Sequence, residues 1–393
     1  MNKVYKNYFY IVLISIATIF FLVVSINRLI DPYSYFHDAN KKEFNFLKPY
    51  IPTTRAKALA IAEFKPKVLI LGSSRTEQGI DPNNDAWKMH PVFNAAFGGA
   101  DIFDSYHYLK FSHSSGQLKE VVLMVDFFMF NAERKKYDSK GYGYLENISQ
   151  SADLLTISTF KYLLSLQTTI DSFKTKLNKV NKSRLIKDKG LLSVPQLTHP
   201  YSKFISTESA FYKVHYRDFK TKNDHQDNMQ AFLWIIDFVR ENDINLIVGI
   251  SPIHARLLEV LYVKDYGNEF EEWKRNLLKM IEAKRVEGQK NNITLIDYSG
   301  FNYFTTEAIP GKDITQESQL DMKWYLEPSH YKLSLGNKVI DKFLSQKVSA
   351  IGSFGFKLNQ KNIEGHLKKI KEERKKWKEK FPEYSKEIGL LSQ

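Results

Sequence analysis

The chain has 393 residues, of which 43% are hydrophobic and 14% aromatic, and this supply of core-forming side chains excludes a protein that is disordered throughout. Its formal net charge of +13 is spread along the chain without a nucleic-acid recognition motif, so we expect no nucleic acid among its partners. The chain contains no cysteine, which excludes disulfide bonds, cysteine-based zinc sites and thiol nucleophiles.

The first predicted element is an apolar helix at the N-terminus. Tyr8 to Ile26 are 19 consecutive residues without a charge, close to the length of about 20 that spans a bilayer. A cleaved signal peptide is the alternative, but the run ends without the small residues that flank a cleavage site. Lys3 and Lys6 favour a cytoplasmic N-terminus. We therefore predict a single-pass anchor, residues 1–27, in the cell inner membrane, with the remaining chain on the periplasmic or extracellular side.

A juxtamembrane collar is predicted at residues 28–64, and strands then alternate with helices from residue 65 to 347. This alternation is typical of an α/β fold with a parallel sheet. The predicted strands are short apolar runs at Val68–Leu71, Val92–Ala96, Val121–Val125, Ile244–Ile250 and Ile293–Ile296. The alternation stops at about 132–224, which predicts a helical insertion over the sheet.

A basic helical tail is predicted at residues 348–393. Lys357 to Gln393 contain 11 Lys and Arg residues against 6 Asp and Glu residues. On a membrane-anchored protein such a tail suits anionic lipid or a polyanionic glycan better than nucleic-acid bases.

Gly72-Ser73-Ser74-Arg75 directly follows the first predicted strand. A buried parallel strand that ends in a tight turn presents the next residues at the carboxyl edge of the sheet. The residue just past the turn is Ser74, which we predict as a nucleophile, with Ser73 as the competing candidate. Backbone N–H groups at the helix start would form part of an oxyanion hole. The alternative is that both serines only cap the following helix.

Glu327-Pro328-Ser329-His330 is the second motif that suggests chemistry. A carboxylate and an imidazole three residues apart are close enough for the acid to fix the ring's tautomer while the ring activates a serine. The motif follows the last predicted strand, so His330 and Ser74 are expected at the same edge of the sheet. An ordinary surface or helix-capping histidine is the alternative. Together the motifs predict an acyl-transfer enzyme with the triad Ser74, Glu327 and His330.

Other strand ends supply candidate oxyanion donors. Open α/β sheets bind ligands at the carboxyl edge, where Gly98-Gly99 follows the second strand and Asn131 comes after the third. Gly99 would donate an N–H, because glycine lets the backbone approach a substrate closely, or it would form a simple turn. Asn131 would donate its amide N–H or act as a structural cap.

Three more residues at this edge are candidates for substrate binding. Asp126 follows the third strand and would orient Arg75 or a substrate hydroxyl, with structural capping as its alternative. Arg75 is therefore included in the predicted site. His254 follows the Ile244–Ile250 strand, where it would contact substrate or have a structural role.

These residues resemble the SGNH/GDSL hydrolase superfamily, and within it the membrane-anchored branch that acts on cell-envelope glycans. The family's first block is a strand followed by Gly-Asp-Ser or Gly-Ser-Ser, which here assigns the nucleophile to Ser74. Its second block, Asn with Gly five positions later, matches Asn94 and Gly99 and implies that the Gly99 N–H is an oxyanion donor. Its last block, Asp-x-x-His, is matched by Glu327 and His330. The resemblance covers roughly residues 65 to 345.

Two positions depart from the family pattern. Glu327 stands where the family has aspartate, so the longer side chain must adjust its geometry. The third block, normally Gly-x-Asn-Asp, is replaced by the stretch from Val125 to Asn131, and Asn131 lies a few residues after the expected asparagine. Loss of an oxyanion donor has cost roughly 10²–10³ in rate in another hydrolase.

The resemblance implies a three-layer α/β/α sandwich with a mainly parallel, flavodoxin-like sheet, preceded by one transmembrane helix. It implies an esterase or O-acetyltransferase that acts on an acylated polysaccharide of the cell envelope, with no metal and no organic cofactor. A membrane acyl-donor protein is a further candidate partner. The alternative is a catalytically inactive protein of this fold that binds glycan or assists polysaccharide assembly.

Overall fold

The computed structural model describes residues 3–32, 54–134, 145, 159–177, 185–186, 188–193, 199–284, 292–314, 316, 320–344 and 353–392. Most of the predicted collar, residues 33–53, lies outside the described residues, as do residues 135–144 and 146–158 of the predicted insertion. The predicted boundary between the α/β domain and the tail, at residues 347 and 348, also lies outside them.

Eight strands lie within the described ranges. They are β1 Val68–Leu71, β2 Val92–Asn94, β3 Glu120–Val125, β4 Leu185–Ile186, β5 Leu192–Ser193, β6 Asn245–Ile250, β7 Ile293–Asp297 and β8 Phe356–Leu358. Six of them form one sheet in the order β2-β1-β3-β6-β7-β8, and β4 pairs with β5 in a separate antiparallel sheet. The first five strands of the large sheet are parallel, whereas β8 is antiparallel to β7. The fold is therefore α/β with a mixed, mostly parallel sheet.

Helices alternate with the strands of the large sheet. They are α1 Lys3–Ile30, α2 Thr54–Phe64, α3 Ser74–Gly79, α4 Ile102–Ser115, α5 Leu166–Lys176, α6 Pro200–Ala210, α7 Asn228–Glu241, α8 Ala255–Val263, α9 Gly267–Ala283, α10 Leu333–Leu344, α11 Ile363–Lys380 and α12 Pro382–Gly389. A 3₁₀ turn, Phe127–Phe130, follows β3, and a π-helical turn, Phe211–His215, extends α6.

The central strands are buried on both faces. Val68 and Ile70 of β1 belong to one hydrophobic cluster, whereas Leu69 and Leu71 belong to the other. Because successive side chains of a strand point to opposite faces, an unbroken apolar run needs cover on both sides of the sheet. Full burial of one such side chain contributes about 1.5–3 kcal/mol, so these short strands are held mainly by packing.

The C-terminal segment that the sequence predicted as a basic tail is integrated with the sheet. β8 pairs with β7, and α11 buries an apolar face against the core. That face consists of Ile363, Leu367, Ile370 and Trp377. Spacings of three, four and seven residues place these side chains on one side of the helix, while most of the lysines occupy the other.

The N-terminal helix α1 is apolar and largely uncovered by the rest of the protein. Its span Val4–Ile30 contains 27 residues, and the most apolar window within it has a mean hydropathy of 2.7 and no burial. Among the described residues it is the one helix whose length and composition would allow it to cross a membrane.

Candidate active site

The candidate site lies at the carboxyl ends of β1 and β3. In the sheet, β2 lies on one side of β1 and β3 on the other, so the direction of chain progression reverses between β1 and β3. Such a switch point opens a crevice in which α/β proteins bind ligands. Gly72 forms the turn out of β1 with a φ of +150°, and a Cβ there would lie 2.8 Å from the Met124 carbonyl oxygen. The turn therefore requires glycine.

The two serines after this turn have different environments. Ser73 is fully buried and caps α3, since its Oγ accepts a hydrogen bond from the Arg75 N–H at 3.3 Å and donates one to Asp126. Ser74 is partly exposed, and its Oγ lies 2.8 Å from Nε2 of His330. The sequence left helix capping and catalysis as alternatives for both serines. In the structure Ser73 caps α3, whereas Ser74 contacts His330.

Glu327 and His330 occupy the two ends of one tight turn. The His330 N–H donates to the Glu327 carbonyl at 3.2 Å, and Pro328 fills the second position, where its fixed φ favours the turn. The Leu326 N–H donates to the His330 carbonyl at 2.9 Å, which closes the flanks of the turn. Within it, Nδ1 of His330 is hydrogen-bonded to Oε1 of Glu327. The same four residues therefore fix both the carboxylate and the ring.

The Glu327 carboxyl group is buried and held in its charged form. Burial alone would raise its pKa, but His330, the Ser329 N–H and the Thr207 side chain act in the opposite direction, so the pKa is lowered. A carboxylate at Nδ1 retains the ring proton there, which leaves the Nε2 lone pair directed at the Ser74 hydroxyl. In this arrangement His330 can accept a proton from Ser74.

Two contacts hold this turn against the carboxyl edge of the sheet. The Pro328 carbonyl accepts a hydrogen bond from the His254 N–H at 3.0 Å. The Ser329 Oγ accepts one from Nε of Arg75, also at 3.0 Å. Because Arg75 directly follows Ser74 in α3, one buried arginine connects the serine helix to the histidine turn.

Arg75 is held by charge and by aromatic rings. Its Nη1 lies 2.5 Å from Oδ1 of Asp126, and both side chains are buried. The guanidinium lies 4.9 Å from the Phe128 ring centroid and 5.3 Å from that of Phe211. Burial alone would lower the pKa of Arg75, but the Asp126 carboxylate raises it. The predicted contact of Asp126 with Arg75 is present in the structure, whereas its side chain makes no capping hydrogen bond to the 3₁₀ turn that follows.

The predicted substrate contact His254 is fully buried and caps α8. Its Nδ1 accepts a hydrogen bond from the Arg256 N–H at 3.2 Å, and its Nε2 lies 2.7 Å from the Glu307 carbonyl oxygen, to which it donates. Burial lowers its pKa to about 3, and the charge of Arg256 acts in the same direction. The ring is therefore neutral, and its backbone N–H rather than its side chain contacts the turn of His330.

The two predicted oxyanion donors differ in what surrounds them. The Asn131 amide donates to the carbonyl oxygens of His215, at 3.4 Å, and Arg217, at 3.1 Å. An oxyanion role for Asn131 would require these bonds to break. Gly99 has a φ of +78° in the loop after β2, and its carbonyl oxygen accepts a hydrogen bond from Arg134 at 3.4 Å.

Asn94 supports the short helix that carries Ser74. Its Nδ2 donates to the carbonyl oxygens of Thr76 and Ile80, each at 2.9 Å, and its Oδ1 accepts from the Ala96 N–H at 3.1 Å. The side chain thereby connects the end of β2 to the last turn of α3. This gives the asparagine of the predicted second block a structural explanation.

Three residues of the predicted insertion lie at the site, although the sequence analysis did not identify them. Arg134 lies with its guanidinium 4.6 Å from the Phe128 ring centroid, and Thr207 supports the Glu327 carboxylate. The pKa of His215 is lowered to about 4 by burial and by the charges of Arg134 and Arg75. No local sequence pattern in the insertion indicates that these residues lie near Ser74 or His330.

A cavity of about 550 Å³ adjoins the turn of Glu327 and His330. Its walls come from α3, the β4–β5 sheet and both flanks of the turn, and include Gln78, Leu192, Leu326 and Lys332. Gln78 lies four residues after Ser74 and so on the same side of α3. The cavity has the size of a small-molecule site, and its lining reaches α3 through Gln78 and the flanks of the turn through Leu326 and Lys332.

Comparison with known proteins found no family model and no curated protein that matches the chain. Within the described ranges, no group of three or more His, Asp or Glu side chains is arranged to hold a metal ion. Function is therefore inferred from the geometry around Ser74, Glu327 and His330.

Proposed function

We propose that the protein is a serine-dependent esterase or O-acyltransferase, of the SGNH/GDSL type, that acts on a cell-envelope or extracellular polysaccharide. The observation that carries this proposal is a continuous hydrogen-bonded chain. It runs from Ser74 Oγ to His330 Nε2 at 2.8 Å, and from His330 Nδ1 to Glu327. A hydroxyl, a base and an orienting acid in this order are the arrangement that activates a serine for attack on an ester.

The strand order supports the family proposal. Counted along the chain, the five parallel strands have the order 2-1-3-4-5, which is that of flavodoxin-like sheets. Hydrophobic clusters on both faces of the sheet suit a three-layer α/β/α sandwich over residues 65–347. The serine and the histidine then lie in the crevice where this class of fold binds its ligands.

In the proposed reaction, Ser74 Oγ attacks the acyl carbon while His330 Nε2 takes the hydroxyl proton. The tetrahedral intermediate collapses to acyl-Ser74, and His330 returns the proton to the departing alcohol oxygen. Water or a sugar hydroxyl then attacks the acyl group while His330 Nε2 takes its proton, and His330 returns this proton to Ser74 Oγ as the new tetrahedral intermediate collapses and the serine leaves as a neutral hydroxyl. Glu327 stabilises the imidazolium, and N–H groups of Ser74 and Gly99 would stabilise the oxyanion.

The cavity beside the turn supports a polysaccharide substrate. Its lining combines charged side chains, which suit sugar hydroxyls, with leucines, which suit the apolar faces of sugar rings. The charged residues are Asp321, Lys323 and Lys332, and the leucines are Leu191, Leu192, Leu326 and Leu333. Hydrolysis and transfer would differ only in whether water or a sugar hydroxyl attacks acyl-Ser74.

Labelling with a serine-directed fluorophosphonate tests the proposal. The full-length protein should be modified at Ser74, and Ser74→Ala should lose both the label and the hydrolysis of an acyl ester. Ser206→Ala, at an exposed serine on α6, should behave as wild type and is the matched control. Equal ester hydrolysis by Ser74→Ala and wild type would show that the proposal is wrong.

A second candidate is an inactive protein of the same fold that binds glycan or assists its assembly. One observation favours it, because the Asn131 amide donates to two backbone carbonyls and does not take the place of the family's oxyanion donor. This candidate predicts no fluorophosphonate label and no ester hydrolysis, together with retained binding of polysaccharide.

We also propose that α1 is a single-pass anchor in the cell inner membrane. The mean hydropathy of 2.7 of its most apolar window and the lack of burial of that window support a lipid environment. Lys3 and Lys6 support an N-terminus in the cytoplasm, which would put the α/β domain on the periplasmic or extracellular side, where envelope glycans occur.

A further inference from the structure

Helix α5 has its polar side chains buried and its apolar side chains exposed. The buried residues are Thr168, Asp171, Ser172 and Thr175, none more than 8% exposed. The exposed apolar residues in α5 and directly after it are Leu166, Ile170, Phe173 and Leu177, between 41% and 77% exposed. At 3.6 residues per turn these two sets lie on opposite faces. A helix on the surface of a water-soluble domain has the reverse arrangement.

The polar face of α5 packs against the end of α1. Asn27 of α1 is fully buried, and its Nδ2 donates to the Leu163 carbonyl at 2.7 Å and to the Thr169 hydroxyl at 2.8 Å. The Ser172 hydroxyl donates to Oδ1 of Asn27 at 2.9 Å. Asn27 directly follows the uncharged run Tyr8 to Ile26, so α5 is attached at the level where that run ends.

Small hydroxyl residues at a helix contact, with large apolar residues facing outward, are the arrangement of helices surrounded by lipid. From this we infer that α5 lies in the interfacial layer of the bilayer that α1 spans, with its apolar face against the lipid. The inference rests on the proposed membrane insertion of α1. The 11 residues of α5 extend about 16 Å, roughly half of the 30 Å hydrocarbon core, so the helix is too short to span it.

The charges next to the apolar face agree with lipid as its neighbour. Lys174 and Lys176 are exposed and lie on opposite sides of that face, from which long side chains reach headgroup phosphates. Lys174 also pairs with Asp171 at 3.1 Å. Phe160 and Leu164, just before α5, add two more exposed apolar side chains. The exposed apolar surface thus continues beyond α5 itself.

The absence of cysteine makes a depth measurement straightforward, because one introduced thiol can be labelled without background. We would label Ile170→Cys and Phe173→Cys in the full-length protein with an environment-sensitive fluorophore. Ile14→Cys, within α1, is the membrane control, and Lys375→Cys, at an exposed position of α11, is the water control. Each protein is reconstituted into phosphatidylcholine vesicles with nitroxide lipids that quench either near the headgroups or deep in the acyl chains.

The probes at positions 170 and 173 should lose at least about half of their fluorescence to the shallow quencher, because an interfacial helix lies roughly 5–10 Å into the boundary region. The probe at position 14 should respond to the deep quencher, and the probe at 375 to neither. Probes at 170 and 173 that behave like the one at 375, while position 14 is quenched, would overturn this inference and leave the anchor intact. Without quenching at position 14, the proposed anchor itself fails.

A third outcome concerns a protein neighbour in place of lipid. Probes at 170 and 173 that are shielded from water but not quenched by either lipid would mean that a second copy of the chain or another protein covers this face. That result also overturns the interfacial placement of α5.

Discussion

The Glu327 carboxylate accepts two hydrogen bonds within its own turn, one from His330 and one from the Ser329 N–H at 3.0 Å. Glutamine has nearly the same shape, but its NH₂ group would oppose the proton on Nδ1 and favour the other ring tautomer. We therefore expect Glu327→Gln to fold normally and to lose roughly 10²–10⁴ in kcat for an acyl ester. Steady-state kinetics and a thermal melt of the same preparation measure the two effects separately.

Glu327→Asp is the matched variant, since it keeps the charge and shortens the side chain by one methylene. It should retain more activity than Glu327→Gln, provided that the turn moves toward the shorter acid. Activities of both variants within a few-fold of wild type would remove Glu327 from the proposed triad and leave Ser74 and His330 as a pair.

At the scale of elements, Arg256 of α8 connects α6 with α12. Its Nε and Nη2 bind the Glu208 carboxylate at 2.7 and 2.8 Å, and its Nη1 binds Glu387 at 2.7 Å. Arg256 and Glu208 are buried, whereas the Glu387 side chain is 32% exposed. Loss of the buried Glu208 would leave the Arg256 cation without its buried carboxylate. Loss of the partly exposed Glu387 would leave a gap that water can fill.

We expect Glu208→Ala to lower the free energy of unfolding by about 3–5 kcal/mol. Glu387→Ala should lower it by about 1 kcal/mol or less, as for other partly exposed pairs. Denaturant unfolding of the two variants in the same detergent measures the difference. Equal losses would mean that burial of the partner does not determine the strength of this connection.

Local sequence patterns were sufficient to predict where the strands of the parallel sheet lie in the chain. The predicted strand Val68–Leu71 is confirmed, and Val121–Val125 is one residue shorter than β3, because each is an apolar run long enough to be recognised alone. β8 was not predicted. It has three residues, with Lys357 exposed between two buried neighbours, and it is a strand only because it pairs with β7, about 60 residues earlier in the chain.

The residues of the candidate site also fall into two groups, those that short motifs predict and those that only tertiary packing brings to the site. Ser74 and His330 lie in short motifs directly beside a strand or a helix, so their proximity follows from the order of elements. Arg134, Thr207 and His215 reach the site through packing of the insertion, which has no strand–helix alternation to place it. Their contribution depends on tertiary contacts that no short pattern encodes.

At the scale of the whole molecule, the proposed anchor predicts how the protein fractionates. The full-length chain should remain with membranes after alkaline carbonate extraction, because a spanning helix cannot be removed by breaking ionic contacts. A variant that lacks residues 3–22 keeps Asn27 and its contacts with α5, and it should be extracted even where α5 still touches lipid. Recovery of the full-length chain in the soluble fraction would contradict a spanning helix.

The acid and the base of the candidate site occupy one four-residue turn, and this has a consequence for how the protein could diverge. An insertion or deletion between β7 and the turn would move Glu327 and His330 together and leave their mutual distance unchanged. The contacts of the turn with Ser74, Arg75 and the His254 N–H would have to be re-established. The acid and the base therefore keep their mutual geometry as one local unit, because both lie in the same turn.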